Sequence, residues 1–260
     1  MSEKTKVVNT KIRSVDGKGI MMGRRAYTND FTPENPLGLK GLRSPHAFAK
    51  IKSIDTTEAS RIPGVECILT YKDFKRNAHT RAGQGYPEPS PHDKFALDSM
   101  VRYIGDEVAV VAASNEPTAQ EALSKIKVDY EVLDPVFDFE KAKDHEPLVH
   151  PEEAIYEMFP IGFDPKRNLA ASYHMEVGDV QKTLDESDVL IEHAFYTQAQ
   201  AHTAMEPHTV NAHIDVQNRL TLYTSTQTPF HVRRIIAQVL EVPLSQIRII
   251  KPRVGGVGTV

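Results

Sequence analysis

A proline-rich segment divides this chain into two regularly patterned halves and limits the folds open to it. Between Asp134 and Asn168 the sequence shows little hydrophobic periodicity, whereas strand and helix patterns are clear on both sides. Its prolines are Pro135, Pro147, Pro151, Pro160 and Pro165. Such a composition is typical of a linker that crosses the surface between domains. The sequence therefore predicts one core within residues 17–133 and another within 169–260, joined by a linker at 134–168.

The clearest pattern of the first half is a strand, a helix and a second strand. Residues 107–113 form an apolar run typical of a buried strand, and residues 127–132, in which charged residues alternate with valine and tyrosine, predict a second strand. Between them, apolar side chains recur at the spacing of one helix face, with Pro117 suited to the first turn. These side chains are Ala119, Ala122, Leu123 and Ile126. In contrast, the glycine- and proline-rich stretch from Asn77 to Lys94 predicts a long exposed loop.

The second half alternates short strands with polar loops and one amphipathic helix. Strands are predicted at Val189–Tyr196, Thr209–Val216, Arg219–Thr224 and Gln246–Ile250. Thr228 and Pro229 form a good helix start, with a capping hydroxyl followed by proline at the first position. The apolar stripe of that helix is Val232, Ile235, Ile236, Val239 and Leu240. Strands and helices in both halves predict a mixed α/β (α+β) fold.

The polar stretch from Gln200 to His208 lies between two of these predicted strands, where binding and catalytic groups are often found. One interpretation is a metal site, since His202, Glu206 and His208 are possible ligands. Pro207 argues against the helix that the 202–206 spacing would suit, and no His-Glu-x-x-His pattern is present. The stretch could instead satisfy backbone groups with its side chains, or bind a cofactor. The residues themselves leave all three interpretations open.

The composition argues against several protein classes. The formal net charge of −4 gives no sign of a nucleic-acid or membrane-surface protein. A single cysteine, Cys67, excludes an internal disulfide framework and suits a reducing compartment. The polar N-terminus lacks the apolar region of a secretory signal, and no apolar run reaches the length of a membrane span. We therefore expect a cytoplasmic protein with no nucleic-acid or membrane partner.

Several segments together, by their order and spacing, resemble the molybdopterin-binding part of the molybdenum hydroxylases, the family of xanthine dehydrogenase and aldehyde oxidase. The resemblance covers about residues 17–256. In the first half it rests on Gly23–Asp30, Arg43–His46, Ile54–Thr56, Ile62–Val65 and Val101–Ala109. In the second half it rests on Gly178–Val180, Gln200–Glu206, Ser225–Pro229 and Lys251–Gly256. It implies a hammerhead domain at 17–133 and the first part of a molybdopterin-binding domain at 169–260.

The resemblance also implies roles for individual residues. Gln200 matches a catalytic glutamine whose amide lies near an oxo ligand of the molybdenum and tunes the cofactor without ligating the metal. Gln227 is implied as a further cofactor contact, and His202 and Glu206 as supports of the loop. Gly255 and Gly256 match the start of a glycine-rich loop whose backbone amides approach the pterin closely. No residue of this chain is implied as a direct metal ligand.

The sequence departs from the family after Gly256. The family continues with glycine, phenylalanine and further glycines, whereas this chain reads Val257-Gly258-Thr259-Val260. The glutamate that serves the family as general base and the second half of the cofactor domain are not present in the sequence. The resemblance therefore implies an incomplete piece, inactive alone. It would need the rest of the molybdopterin subunit. Iron–sulfur clusters and FAD would lie on other domains or subunits. The pterin would be molybdopterin itself or its cytosine dinucleotide.

Three functional interpretations follow. In the first, the complete enzyme hydroxylates an N-heterocycle such as a purine, or an aldehyde, with oxygen from water. In the second, the chain is a non-catalytic assembly or binding module derived from the same family. The third, a hydrolase using Ser225 with His202 or His231, lacks the Gly-x-Ser-x-Gly pattern of a nucleophile elbow.

Overall fold

The computed structural model describes residues 5–82, 85–151, 154–201 and 203–256. Its helices are α1 (Gly17–Met21), α2 (Glu116–Lys125), α3 (Val180–Asp185) and α4 (Pro229–Leu240). Its strands are β1 (Gly38–Arg43), β2 (Ala49–Asp55), β3 (Val65–Thr70), β4 (Met100–Val101), β5 (Glu107–Ala113), β6 (Lys127–Val132), β7 (Val210–Ile214), β8 (Leu220–Thr224) and β9 (Ile247–Ile250). Contacts group the chain into two units: residues 1–34, 202–229 and 245–260 form the first, and 35–201 with 230–244 form the second.

In the second unit, β5 is the centre of an antiparallel sheet with the order β1-β5-β3. One face of this sheet is covered by α2, which begins where the Asn115 side chain accepts a hydrogen bond from the Thr118 N–H. The predicted helix face is confirmed, because Ala119, Ala122, Leu123 and Ile126 are all buried against the sheet. Burial of this alanine-rich face brings the helix close to the sheet, with no room for larger side chains.

A second antiparallel sheet of the same unit has the order β4-β2-β6. Its core side chains Ala49, Ile51 and Val101 pack with Val108 of β5. The predicted strand–helix–strand unit is present, but its strands β5 and β6 belong to different sheets. The crossover helix therefore links two sheets and does not join parallel neighbours of one sheet, a difference that hydrophobic periodicity does not reveal.

The stretch from Asn77 to Lys94 is irregular, as predicted, and it is exposed at Arg81, Ala82, Gly85–Pro87 and Pro89, but the prediction of an exposed loop was wrong for four of its polar residues. His79, Thr80, Glu88 and His92 are all buried. Backbone bonds join His79 to Lys94 in both directions, at 2.8 and 3.0 Å, and fold the stretch back on itself. Glycine and proline mark the lack of regular structure, but they say nothing about what packs against the stretch.

The proline-rich segment contributes to this packing. Ile155 is buried in a cluster with Ala78 and Phe95, and Phe163 packs against it. The His92 N–H donates to the Tyr156 carbonyl oxygen at 2.7 Å, and the two rings stack with centroids 4.5 Å apart. Part of the segment therefore covers the folded-back loop, while its assignment as a linker between domains stays a prediction.

Helix α4 belongs to the second unit although the strands on either side of it in sequence belong to the first. The Asn77 side chain donates to the Gln238 carbonyl oxygen at 3.2 Å and to the Glu241 carboxylate at 3.1 Å. Arg234 donates to the Gly85 carbonyl oxygen at 2.8 Å. The Gln238 side chain donates to the Tyr156 hydroxyl at 3.0 Å. Polar contacts thus attach the helix to the 77–94 loop.

The first unit contains the sheet β7-β8-β9, in which β7 and β8 are antiparallel and β8 and β9 are parallel. These strands confirm three of the four strands predicted in the second half. The fourth, Val189–Tyr196, was wrong: the run has no regular structure and Ile191 and Phe195 are each 85% exposed. A strand needs a hydrogen-bonded neighbour, and no strand in the described residues pairs with this run.

Candidate functional site

The 3-10 helix Thr28–Phe31 and the turn before it supply one wall of the candidate site in the first unit. The Asp30 carboxylate accepts hydrogen bonds from the Ala26 and Tyr27 N–H groups, both at 2.9 Å. These two bonds lower the pKa of Asp30, because they stabilise its ionised form. The Asp30 side chain thereby fixes the conformation of the Tyr27 backbone.

Contacts with the sheet hold this turn in place. The Asn211 side chain of β7 donates to the Thr28 carbonyl oxygen at 2.8 Å. The Phe31 ring stacks on Tyr223 of β8, with centroids 4.9 Å apart and an interplanar angle of 9°. Thr28 itself is fully buried. The turn is therefore built on the rigid part of the unit, as a binding wall should be.

The chain after β9 approaches the same turn. The Arg253 N–H donates to the Ala26 carbonyl oxygen at 2.8 Å, and the Arg253 side chain forms an ion pair with Asp16. Two residues later, the Gly255 N–H donates to the Glu206 carboxylate. Gly256 adopts a φ of +93°, a conformation that favours glycine. The predicted glycine-rich loop start is thus held on two sides by contacts within the unit.

These segments enclose a small open pocket of about 260 Å³, lined by Tyr27, Asn29, Met205, Glu206 and Gly255. A Cβ added to Gly255 would lie 3.2 Å from the Glu206 Oε2 atom and 3.2 Å from the Tyr27 ring. A Cβ added to Gly256 would lie 3.2 Å from the Met205 Cβ. Both glycines therefore leave space that a side chain would fill.

The predicted site residues are distributed over the two units. Gly255, Gly256 and Gln227 belong to the first, and Gln227 is exposed in the bend before α4. Gln200 belongs to the second unit and is exposed in a stretch without regular structure. His202 lies outside the described residues, as do residues 257–260 where the sequence departs from the family. The pocket-lining residues Tyr27, Asn29 and Met205 were not predicted individually.

The metal interpretation of the polar stretch receives no support in the described part of the chain, where no group of three or more ligating side chains could hold a metal ion. Glu206 instead bonds to the Gly255 amide. The proposed ligand set also contains His202 and His208. Of these two, His202 lies outside the described residues.

A separate polar cluster lies in the second unit, where the folded-back loop meets α4. It contains His79, Glu88 and His92 of the loop and His231 of the helix. The pKa of His79 is lowered to about 4, mainly by burial; a hydrogen bond to the Asn77 backbone raises it, and the charges of Arg81 and Lys94 lower it.

Burial also lowers the pKa of His92 and of His231, while the Glu88 carboxylate acts in the opposite direction on both. Each of the four side chains in this cluster has one buried polar atom without a hydrogen-bond partner among the described residues. The cluster therefore favours neutral imidazoles.

The comparisons with known proteins match both halves of the chain. Residues 22–134 match the family model of the aldehyde oxidase and xanthine dehydrogenase a/b hammerhead domain. Residues 163–257 match that of the molybdopterin cofactor-binding domain. Among the helices of the described residues, none is long and apolar enough to cross a membrane.

Individual relatives agree with these matches. The probable hypoxanthine oxidase XdhD of Escherichia coli O157:H7 is 33% identical over 274 residues, covering 96% of this chain and 29% of that protein. The large molybdopterin subunit of nicotinate dehydrogenase from Eubacterium barkeri is 31% identical, covering 93% of this chain and 52% of that protein. The crystal structure of quinoline 2-oxidoreductase from Pseudomonas putida 86 superposes with a TM-score of 0.73 at 25% identity, covering 98% of this chain and 31% of that chain.

The chain thus spans only part of the length of these relatives, between 29% and 52% for the two proteins compared by sequence. The mixed α/β fold predicted from the sequence is confirmed by the element order and by the structural match. Both domain matches occur in the predicted order along the chain. The chain therefore belongs to the molybdenum hydroxylase family and carries its a/b hammerhead domain followed by its molybdopterin cofactor-binding domain.

Proposed function

We propose that this chain is part of a larger molybdenum hydroxylase that oxidises an N-heterocycle such as a purine, or an aldehyde. In this reaction a C–H bond of the substrate is replaced by C–OH with oxygen from water, and an electron pair and protons are released. The observation that carries the proposal is the match of residues 163–257 to the molybdopterin cofactor-binding domain. The relatives named for hypoxanthine and nicotinate support an N-heterocycle.

Gly255 and Gly256, together called the glycine cradle, are suited to a pterin cofactor. A Cβ at either glycine would fill the space beside Tyr27, Glu206 and Met205, so the backbone is open to a ligand there only because the residues are glycines. Within the described residues, the Gly256 N–H has no hydrogen-bond partner, which leaves one amide of the loop for a ligand oxygen.

Each proposed site residue then has a separate task. Gly255 and Gly256 would hold the pterin side of the cofactor through close backbone approach, and Gln227 would contact it from the bend before α4. Gln200 would donate its side-chain amide toward the metal centre, a neutral donor that orients without ligating. When bound, the molybdenum cofactor supplies the redox chemistry that accepts electrons from the substrate. The proposed pterin is molybdopterin, either as such or as its cytosine dinucleotide.

The domains at 17–133 and 169–260, joined by the 134–168 linker, are part of the same proposal. The partners would be the remaining part of the molybdopterin subunit and the domains or subunits that carry iron–sulfur clusters and FAD. Exposed apolar side chains of the 189–196 run support a larger assembly, because such a patch is costly to leave in water. The cytoplasmic location stays a prediction from the single cysteine.

A non-catalytic assembly module is the second candidate. It is favoured by the same exposed run. Under this candidate, the chain would join a partner without carrying cofactor. The two candidates differ in whether molybdenum accompanies the chain in its native complex.

The test is to purify the tagged chain from its native host and, separately, from a host that supplies no partner subunits. Elemental analysis measures molybdenum, absorbance measures FAD and iron–sulfur clusters, and an artificial electron acceptor measures hydroxylation. We expect molybdenum and turnover in the native complex, and neither in the chain alone. In the native complex, Gln200→Ala should retain molybdenum and lose most of the turnover, whereas Gln217→Ala, at an exposed turn, should change neither.

A native complex without molybdenum would reject the enzyme in favour of the assembly module. Unchanged turnover in Gln200→Ala with molybdenum bound would reject the role of Gln200 alone. Stoichiometric molybdenum with turnover in the isolated chain would contradict the prediction that it is inactive without partners.

A further inference from the structure

The hydrogen bond between Gly255 and Glu206 links two segments that are 49 residues apart in sequence. Glu206 is half-buried and forms part of the pocket wall. The approach is close, since a Cβ on Gly255 would lie 3.2 Å from the Glu206 Oε2 atom. A side chain at position 255 would push the carboxylate away from the amide, so this contact depends on glycine as much as on glutamate.

Backbone amides of glycine-containing loops bind anionic oxygens, because no Cβ shields them. At Gly255 an anionic oxygen of the chain itself occupies the amide. A hydrogen bond to an ionised acceptor is stronger than one between neutral groups, so this bond is a firm restraint. The next amide, that of Gly256, has no such partner among the described residues.

We infer that Glu206 is a positioning residue of the cofactor cradle. Its carboxylate holds the Gly255 peptide and so sets the conformation in which Gly256 presents an open backbone to an oxygen-bearing ligand such as the pterin. The inference rests on the proposed function for the identity of the ligand, but the restraint on Gly255 does not require a ligand.

The restraint can be measured in the full chain without cofactor. Labelling valine with ¹³C at the carbonyl and glycine with ¹⁵N selects amides that follow valine, which are Gly178, Gly255 and Gly258. A Gly255→Ala sample identifies the Gly255 signal by its loss. The readouts are the amide proton shift of Gly255 and its hydrogen-exchange rate, compared between the wild-type chain and the variants Glu206→Ala and Glu206→Gln.

We expect Glu206→Ala to move the Gly255 proton signal upfield and to accelerate its exchange about tenfold, the loss expected for a bond to a charged acceptor. Glu206→Gln keeps a side-chain carbonyl oxygen and should restore most of the protection with a smaller downfield shift. The Gly178 signal should not change in either variant, and Glu192→Ala, which removes an exposed carboxylate, should leave Gly255 unchanged.

An unchanged Gly255 signal in Glu206→Ala would overturn the inference, and so would a Glu206→Gln variant that behaves like Glu206→Ala. In the native complex, the same variants separate positioning from the proposed function: molybdenum content should fall in Glu206→Ala and be retained in Glu206→Gln. Equal molybdenum in both variants would overturn the positioning role. A wild-type complex without molybdenum would instead reject the proposed function while the measured restraint on Gly255 remains.

Discussion

Mild acid should destabilise this chain through the buried histidines at the contact between the 77–94 loop and α4. The pKa of His79 is lowered from 6.5 to about 4 in the folded chain, first by burial and then by Arg81 and Lys94. The unfolded chain therefore binds a proton at a higher pH than the folded chain does. The free energy of unfolding is highest above pH 6.5 and falls as the pH decreases toward 4.

The size of the effect follows from the two pKa values. At about pH 5, linkage with a folded pKa of about 4 and an unfolded pKa of 6.5 removes about 2 kcal/mol of stability for His79 alone. The lowered pKa values of His92 and His231 act in the same direction. The carboxylate of Glu107, with a pKa lowered from 4.5 to about 2, contributes stability that is lost only below about pH 4.5. The interval between pH 6.5 and 5 therefore reports mainly on the histidines.

The assay is urea unfolding of the wild-type chain and of His79→Gln at a series of pH values from about 7.5 to 5. We expect the variant to lose about 2 kcal/mol less stability over this interval than the wild-type chain, whatever its stability at neutral pH. His193→Gln changes an exposed histidine and should keep the wild-type dependence. A wild-type dependence in His79→Gln would refute the argument from burial.

Two further predictions concern single contacts, and both are measured by urea unfolding at neutral pH. Gly162→Ala places a Cβ 2.6 Å from a backbone carbonyl oxygen at a φ of +75°. Its control, Gly178→Ala, has a φ of +78° and open space, and should lower the free energy of unfolding by roughly 1–2 kcal/mol. Gly162→Ala should lower it by more than the control does. Gln238→Ala removes the side-chain bonds from α4 to the loop and to the 134–168 segment, and should cost about 1–3 kcal/mol, whereas Gln217→Ala should be neutral. Equal costs within either pair would contradict the packing described.

Local patterns were sufficient for most of the secondary structure. The strand at Glu107–Ala113 and the buried face of α2 follow from periodicity and capping, because both depend on residues close in sequence. The run at Val189–Tyr196 has the same kind of pattern but forms no strand. Its apolar residues favour a buried strand, whereas the neighbour that would pair with its backbone is not encoded in the run itself.

The candidate site, too, was predictable from the sequence only in part. Gly255, Gly256, Gln227 and Gln200 were predicted from motifs that resemble a family, and their roles stay proposals. Tyr27 and Asn29 line the pocket in a turn that the Asp30 side chain shapes, and neither was predicted as a site residue. The chain elements that meet at this pocket are far apart in sequence, so only folding could reveal them.

The sequence by itself determined the mixed α/β class and the order of the two domains, since propensity and motif order act locally. The tertiary structure decided which sheets the strands join, the burial of the loop at 77–94 and the attachment of α4 to that loop. It also decided that Glu206 meets the Gly255 amide. These outcomes depend on contacts between distant segments, whose energy comes from burial and hydrogen bonding in three dimensions.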